Sequence, residues 1–168
     1  MKTTRDLTTA AIVAALYTAL TLLQNVLFPG SASMAIQFRV SEALCVLALL
    51  TPSAVYGLSL GCLLSNLLSS AALPLDFLIG TAATVLATAA MYALRNVRLF
   101  RLPLAALLMP ALFNALLVGG ELTYYFGELP FALNALYVAI GELVVLFALG
   151  LPLLLLLQKG RLKNLLGR

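Results

Sequence analysis

A succession of long apolar runs, almost free of charge, limits what this chain can become. A helix rising 1.5 Å per residue needs about 20 apolar residues to cross the hydrocarbon of a bilayer, and there it must satisfy its own backbone N–H and C=O groups. Six runs meet or approach that need: Leu7–Phe28, Ser41–Leu50, Ser53–Leu73, Asp76–Leu94, Leu102–Val118 and Phe131–Leu157. They break where helix-ending residues gather: Pro29-Gly30-Ser31, Thr51-Pro52-Ser53, Pro74, the Arg95–Arg101 stretch, Gly119-Gly120, and Gly127 with Pro130. The second run has only ten residues. It either recruits Ile36–Val40, giving a span over 36–50, or lies partly buried within the bundle. Hydrophobic residues make up 63% of the chain and charged residues 10%, against roughly 25% charge in a soluble domain. The expectation is an all-α membrane protein, a six-helix bundle forming one domain over residues 1–168. Soluble enzymes and nucleic-acid readers are set aside.

The basic residues orient the bundle. Lys2 and Arg5 precede the first run, Arg95, Arg98 and Arg101 fill the loop between the fourth and fifth, and Lys159, Arg161, Lys163 and Arg168 form the tail. Nine of ten therefore fall on one face, which the positive-inside rule makes cytoplasmic, and with six spans both termini lie there. Only Arg39 falls on the other side. Glu42, Asp76, Glu121 and Glu128 map to outer ends or outer loops, Asp6 lies inside, and Glu142 sits within the sixth run. Lys2, Arg5 and the small-residue stretch Ser31-Ala32-Ser33 could also belong to a cleaved signal peptide, but the first apolar run is longer than a usual signal core.

The chain has no His and no Trp, which removes His-based metal sites and His general bases. Cys45 and Cys62 lie inside apolar stretches and read as small buried residues, not as a disulfide or zinc pair. No resident metal or cofactor is expected.

An ionisable group inside a span costs about 2.5–3.5 kcal/mol on insertion scales, so such groups read as functional by default. Arg39 and Glu42 are three apart on one helix face, either as a self-neutralising pair or as part of an outer opening. Asn114 and Glu121 align at a spacing of seven, and Glu121, Tyr124, Tyr125 and Glu128 follow as one helical face, or as a solvated loop with interfacial tyrosines. Asn134 and Glu142 lie eight apart in the sixth run. Glu142 has no basic residue in its own span to pair with. Asn66 reads as a ligand contact or as interhelical hydrogen-bonding glue, and Asp76 as a plain helix N-cap. The polar groups thus gather toward the outer half above an apolar inner half, as in a pocket open outward and sealed below. Two small-residue stripes serve packing: Ala11, Ala15 and Ala19, with Ala10 and Ala14 beside them, and Gly57, Gly61 and Ser65. The alanine stripe suits internal packing and docking of another membrane protein equally well.

The stretch Gln37-Phe38-Arg39-Val40-Ser41-Glu42-Ala43-Leu44 resembles the QFRxSEAL signature of the QueT family, the substrate-binding membrane subunits (S components) of energy-coupling factor transporters assigned to queuosine precursors. Gly57–Asn66, Leu75–Thr81, Leu112–Ala115 and Gly141–Val144 agree with the resemblance, which covers nearly the whole chain. The resemblance implies an S-component bundle in the cell membrane that is not an enzyme and has no catalytic residues. It implies a pocket near the outer face, closed by the loops after spans one and three and between spans five and six. It implies that Ala11, Ala15 and Ala19 contact the transmembrane coupling subunit, and that two cytoplasmic ATPase subunits drive transport. No GxxxxGK[ST] loop is present here, so ATP binds to those partners. In such transporters the S component topples in the membrane to carry its ligand inward.

The implied ligand is a 7-deazaguanine with a cyano or aminomethyl group. A carboxylate can accept from the guanine-type N–H edge, an Asn can satisfy its carbonyl and a ring nitrogen, and an aromatic ring can stack on the base for about 1–3 kcal/mol. The candidates are Glu42 or Glu142 for the base edge, with Asn66 and Asn114 assisting and Phe38, Tyr124 or Tyr125 stacking. Glu121 is a further candidate, and Arg39 orients Glu42. A carboxylate left over from the base edge would suit an aminomethyl cation; the sequence does not fix which carboxylate takes which role. The alternatives are an S component for another vitamin or heterocycle, an intramembrane enzyme using paired carboxylates such as Glu121 with Glu142, or a structural scaffold.

Overall fold

The computed structural model describes residues 3–29, 38–69, 72–100 and 102–159. Lys2, Arg101, Arg161, Lys163 and Arg168 of the basic rim, Gln37 of the signature, Ser31–Ser33 and the expected start of the second span at Ile36 lie outside them. The described residues are helical throughout the spans: α1 (Thr4–Leu27), a 3-10 segment (Val40–Leu49), α2 (Pro52–Leu68), α3 (Asp76–Ala93), α4 (Leu104–Leu107), α5 (Met109–Phe126), α6 (Phe131–Val145), a π turn (Leu146–Gly150) and α7 (Leu151–Lys159). Helices α4 and α5 form one rod and α6 to α7 another, so six rods result. Four are long and apolar enough to cross a bilayer: Thr4–Leu27, Asp76–Ala93, Leu104–Phe126 and Phe131–Lys159.

Local chemistry explains the limits. Thr3 caps α1 by accepting from the Asp6 N–H at 3.3 Å. Thr51 caps α2 with Pro52 at the first helical position, where its missing N–H costs nothing. Pro110, with no N–H to give, sits where α4 gives way to α5. Pro152 would press on the carbonyl of Ala148, and the π turn over Leu146–Gly150 opens the ladder just before it.

Two boundaries differ from expectation. The fifth rod does not stop at Val118: it runs through Gly119-Gly120 to Phe126 and ends at Gly127, whose φ of 60° is a left-handed helix cap. Gly119 is a packing surface, since a Cβ there would lie 2.8 Å from the Ala135 Cα. The second span is not α-helical: Val40–Leu49 form a 3-10 helix, largely buried within the bundle, and among the described residues Phe38 and Arg39 ahead of it are not helical. At about 2.0 Å per residue it covers roughly 20 Å, where an α-helix of that length would cover about 15 Å.

Successive rods alternate in direction. Helix α1 runs parallel to α2, with Ala10 and Val13 against Gly57 and with Ala14 and Tyr17 against Gly61, and the 3-10 segment descends between them. At the near end, where Thr4, Pro52, Leu104 and Lys159 lie, an apolar core closes the bundle: Val46, Ala48, Leu58, Met91, Leu107, Leu146 and Leu154 among others. A smaller cluster of Ala83, Val118, Leu122 and Val138 joins α3, α5 and α6. The outer surface carries large apolar side chains such as Ile12, Leu60, Leu86, Leu112, Leu136 and Leu156. Among the described residues, charged side chains that are not buried in the bundle lie at rod ends or in loops, at Arg5, Asp6, Arg95, Arg98, Glu128 and Lys159.

Candidate functional site

Toward the far end, where Leu27, Val40, Asp76 and Phe131 lie, the interior turns polar. One face of α1 begins it. Tyr17, Thr21 and Gln24, spaced four and three apart, are all buried against the 3-10 segment. The Tyr17 hydroxyl donates to Glu42 Oε1. Thr21 donates to Ser41 Oγ at 2.7 Å. Gln24 replaces a missing backbone partner: its amide donates to the Phe38 carbonyl, and its Oε1 accepts from the Val40 N–H at 2.8 Å. Extended backbone at that depth is tolerated because both groups are satisfied. Cys45, one 3-10 turn from Glu42, donates its S–H to Oε2 at 2.9 Å. Both oxygens of Glu42 thus have donors.

Arg39 does not pair with Glu42 as its first partner. Its Nη2 lies 3.9 Å from Asp76 Oδ2, with both side chains about nine-tenths buried. Glu42 and Tyr17 lie within electrostatic range of the guanidinium. Asp76 is likewise not the N-cap of α3. Leu75 occupies that position, and the Asp76 carboxylate accepts from the Leu73 N–H at 2.8 Å. Asn66 donates to the Asp76 carbonyl at 2.8 Å and tethers α2 to the start of α3. Gly80 lets that amide approach, since a Cβ there would fall 3.0 Å from Asn66 Nδ2.

On the opposite wall, Asn114 of α5 donates to Glu142 Oε1 of α6 at 3.0 Å. Glu142 Oε2 is buried and meets no hydrogen-bond donor. Glu42 and Arg39 lie within its electrostatic range. Glu121, seven residues from Asn114, is 3% exposed and neither of its oxygens has a donor. Its carboxyl meets that of Asp76, and Arg39 lies within range of the pair. A cleft of about 390 Å³ adjoins it, lined by Leu75 and Ile79 at the start of α3 and by Leu116, Leu117, Gly120, Glu121 and Tyr124 of α5. Such unpaired buried oxygens cost about 1–3 kcal/mol each, and in a native protein they call for an explanation.

All six rods thus contribute to one polar region that holds Arg39, Glu42, Asp76, Glu121 and Glu142, with Tyr17, Asn66 and Asn114 among them. The rest of the expected set divides. Tyr125 is half-buried and reaches the Leu75 backbone, with its ring edge-on to Tyr124 at 5.5 Å and 80°. Tyr124 is 79% exposed at the rim of the cleft, and Phe38 is 39% exposed. Glu128 lies beyond the Gly127 cap and is exposed, so the expected face of two carboxylates and two tyrosines ends at Tyr125. Asn134 bonds Thr123 at 2.9 Å and the Leu129 carbonyl at 3.3 Å, tying down the α5–α6 connection. Ala11, Ala15 and Ala19 face outward along α1, while Ala10 and Ala14 take the internal contact with α2. Sequence reasoning passed over Asp76, Tyr17, Thr21 and Gln24 as site residues. The last three carry a signal, being polar groups at helical spacing in an otherwise apolar run.

The polar region is rich in acceptors and enclosed by apolar walls. It suits a small ligand that brings N–H donors. Residues 7–159 match the family model described as QueT transporter. No curated protein and no solved structure matches the chain.

Proposed function

The chain belongs to the QueT transporter family, and from that membership we propose that it is the substrate-capture subunit of an energy-coupling factor importer for a queuosine precursor. It takes up a 7-cyano- or 7-aminomethyl-7-deazaguanine from outside the cell. It delivers the ligand inward together with a transmembrane coupling subunit and two cytoplasmic ATPases, which bind the ATP. The observation that carries the reading is the set of buried carboxyl oxygens without donors, at Glu142 and Glu121, inside a bundle of membrane-length helices. A guanine-type edge offers adjacent N–H and amino donors. Glu142 Oε2 accepts from that edge, Asn114 holds the carboxylate in place, and Glu42, fixed by Tyr17 and Cys45, lines the same space. Tyr125 or Phe38 stacks on the base.

The basic residues favour a cytoplasmic near end, with Arg5, Arg95, Arg98 and Lys159 clustered there. The polar far end then opens outward, and the apolar core seals the path inward. A surface with its charges confined to rod ends also lets the bundle tilt in the bilayer at modest cost. The outward alanine stripe of α1 is the docking face for the coupling subunit, since small side chains let a partner helix approach closely.

Calorimetric titration of the detergent-purified chain tests the ligand. Tight binding of a deazaguanine is expected, and tight binding of thiamine, riboflavin or biotin in its place rejects the assignment. Glu142→Gln should weaken deazaguanine binding roughly tenfold or more, the scale of one charge-assisted hydrogen bond. Unchanged affinity removes Glu142 from the site. Ala15→Leu should leave that affinity intact yet abolish co-purification with the coupling subunit. Survival of the assembly would assign the stripe to lipid contact alone.

A further inference from the structure

Four buried carboxyl groups line the polar interior, and they are not equivalent. Glu42 has donors on both oxygens, Glu142 on one, and Asp76 has the Leu73 N–H and Arg39. Glu121 has none on either oxygen, though it is 97% buried. Another carboxyl, that of Asp76, interacts with it.

The charge count there does not close. Arg39 supplies one positive charge beside Asp76 and Glu121, with Glu42 also within its range. With Asp76 and Glu121 ionised, the Arg39–Asp76–Glu121 group carries one excess negative charge in a low-dielectric setting, where an uncompensated charge is expensive. The chain has no His, and the lysine that falls among the described residues, Lys159, lies at the opposite end of the bundle. Among the described residues, no second cation lies within electrostatic range of Glu121.

The adjoining cleft indicates where it comes from. Its walls are apolar at Leu75, Ile79 and Leu116, the Tyr124 ring stands at its rim, and Glu121 is the acidic group that lines it. A primary ammonium placed there brings the group to neutrality. It donates to Glu121 and so relieves the repulsion between that carboxyl and Asp76 behind it, while the tyrosine ring adds a cation–π contact. A nitrile in the same place brings neither charge nor donor.

We propose that the Glu121–Asp76 carboxyl pair is the receptor for a protonated primary amine on the transported ligand, and that this pair makes the protein select the aminomethyl over the cyano form of the deazaguanine. The inference rests on the ligand class proposed above, and it adds the residue pair that discriminates within that class.

Calorimetry on the wild-type chain at pH 7 with 7-aminomethyl- and 7-cyano-7-deazaguanine separates the two ideas. The amine should bind roughly tenfold or more tightly than the nitrile, the scale of one charge-assisted hydrogen bond. Glu121→Gln should remove most of that preference by weakening the amine, with little change for the nitrile. Equal affinities, a preference for the nitrile, or a Glu121→Gln variant that weakens both ligands alike would each overturn the amine receptor while leaving the deazaguanine assignment standing. Binding of neither ligand overturns both. Should Glu121→Gln fail to fold, the wild-type ratio decides by itself, supported by the N-acetylated aminomethyl compound, which loses the charge and should bind no better than the nitrile.

Discussion

Arg39→Met should cost the folded bundle about 3 kcal/mol or more, the range seen when one member of a buried ion pair is removed. The methionine preserves much of the apolar stem, so lost packing contributes little. What is lost is the cation between Asp76, Glu42 and Glu121. Asp76 keeps only the Leu73 N–H, and the carboxyls must either repel one another or take up protons. The measurement suits this chain. It has no Trp, but Cys45 and Cys62 are both fully buried, so a dye that fluoresces on thiol modification reports unfolding. The melting midpoint should fall sharply. Adding Asp76→Asn to Arg39→Met should restore part of the loss, because the orphaned charge is then gone. A single variant that melts with the wild type would show that Arg39 is solvated and does not hold the site.

Gly57→Leu should be comparably severe for a steric reason. Even a Cβ at residue 57 would lie 2.6 Å from the Ala10 carbonyl oxygen and 2.9 Å from the Val13 Cβ. A backbone carbonyl cannot rotate aside as a side chain can, so α1 and α2 must separate. Overpacking costs about 1–3 kcal/mol in soluble cores. The loss here should reach the top of that range, because the same separation pulls Tyr17 away from Glu42. Gly120→Ala is the control: its Cβ would meet only the Phe131 ring at 3.9 Å, and the change should stay within about 1 kcal/mol of wild type. The same thiol-reactivity melt reads both. Equal midpoints for Gly57→Leu and Gly120→Ala would show that the α1–α2 contact is looser than described.

The rods were legible because a bilayer dictates length and internal hydrogen bonding, and apolar runs of that length have few other uses. The same solvent makes Glu42, Glu121 and Glu142 conspicuous, since each must be explained. Asp76 was hidden by its position: a carboxylate at a helix start has an ordinary local role, and only the fold brings Arg39 to it. Tyr17 and Gln24 are inexpensive in a span and drew no notice singly. Gly119-Gly120 read as a break because paired glycines end helices in water. Between membrane helices Gly119 is a contact surface, and the backbone of Ala135 fills it. For α1, a period of four could not distinguish the 10/14 face from the 11/15/19 face. The choice was made by Gly57 and Gly61 on another helix.

The three-residue period of the Val40–Leu49 segment sets Glu42, Cys45 and Ala48 nearly in line along its axis. The row shrinks from carboxylate to thiol to methyl as it descends, so polarity and bulk dwindle together. The alignment is also brittle. One inserted residue would swing everything after it through a third of a circle, and one inserted ahead of Glu42 would point the carboxylate away from Tyr17, so this short stretch should tolerate point changes far better than changes in length.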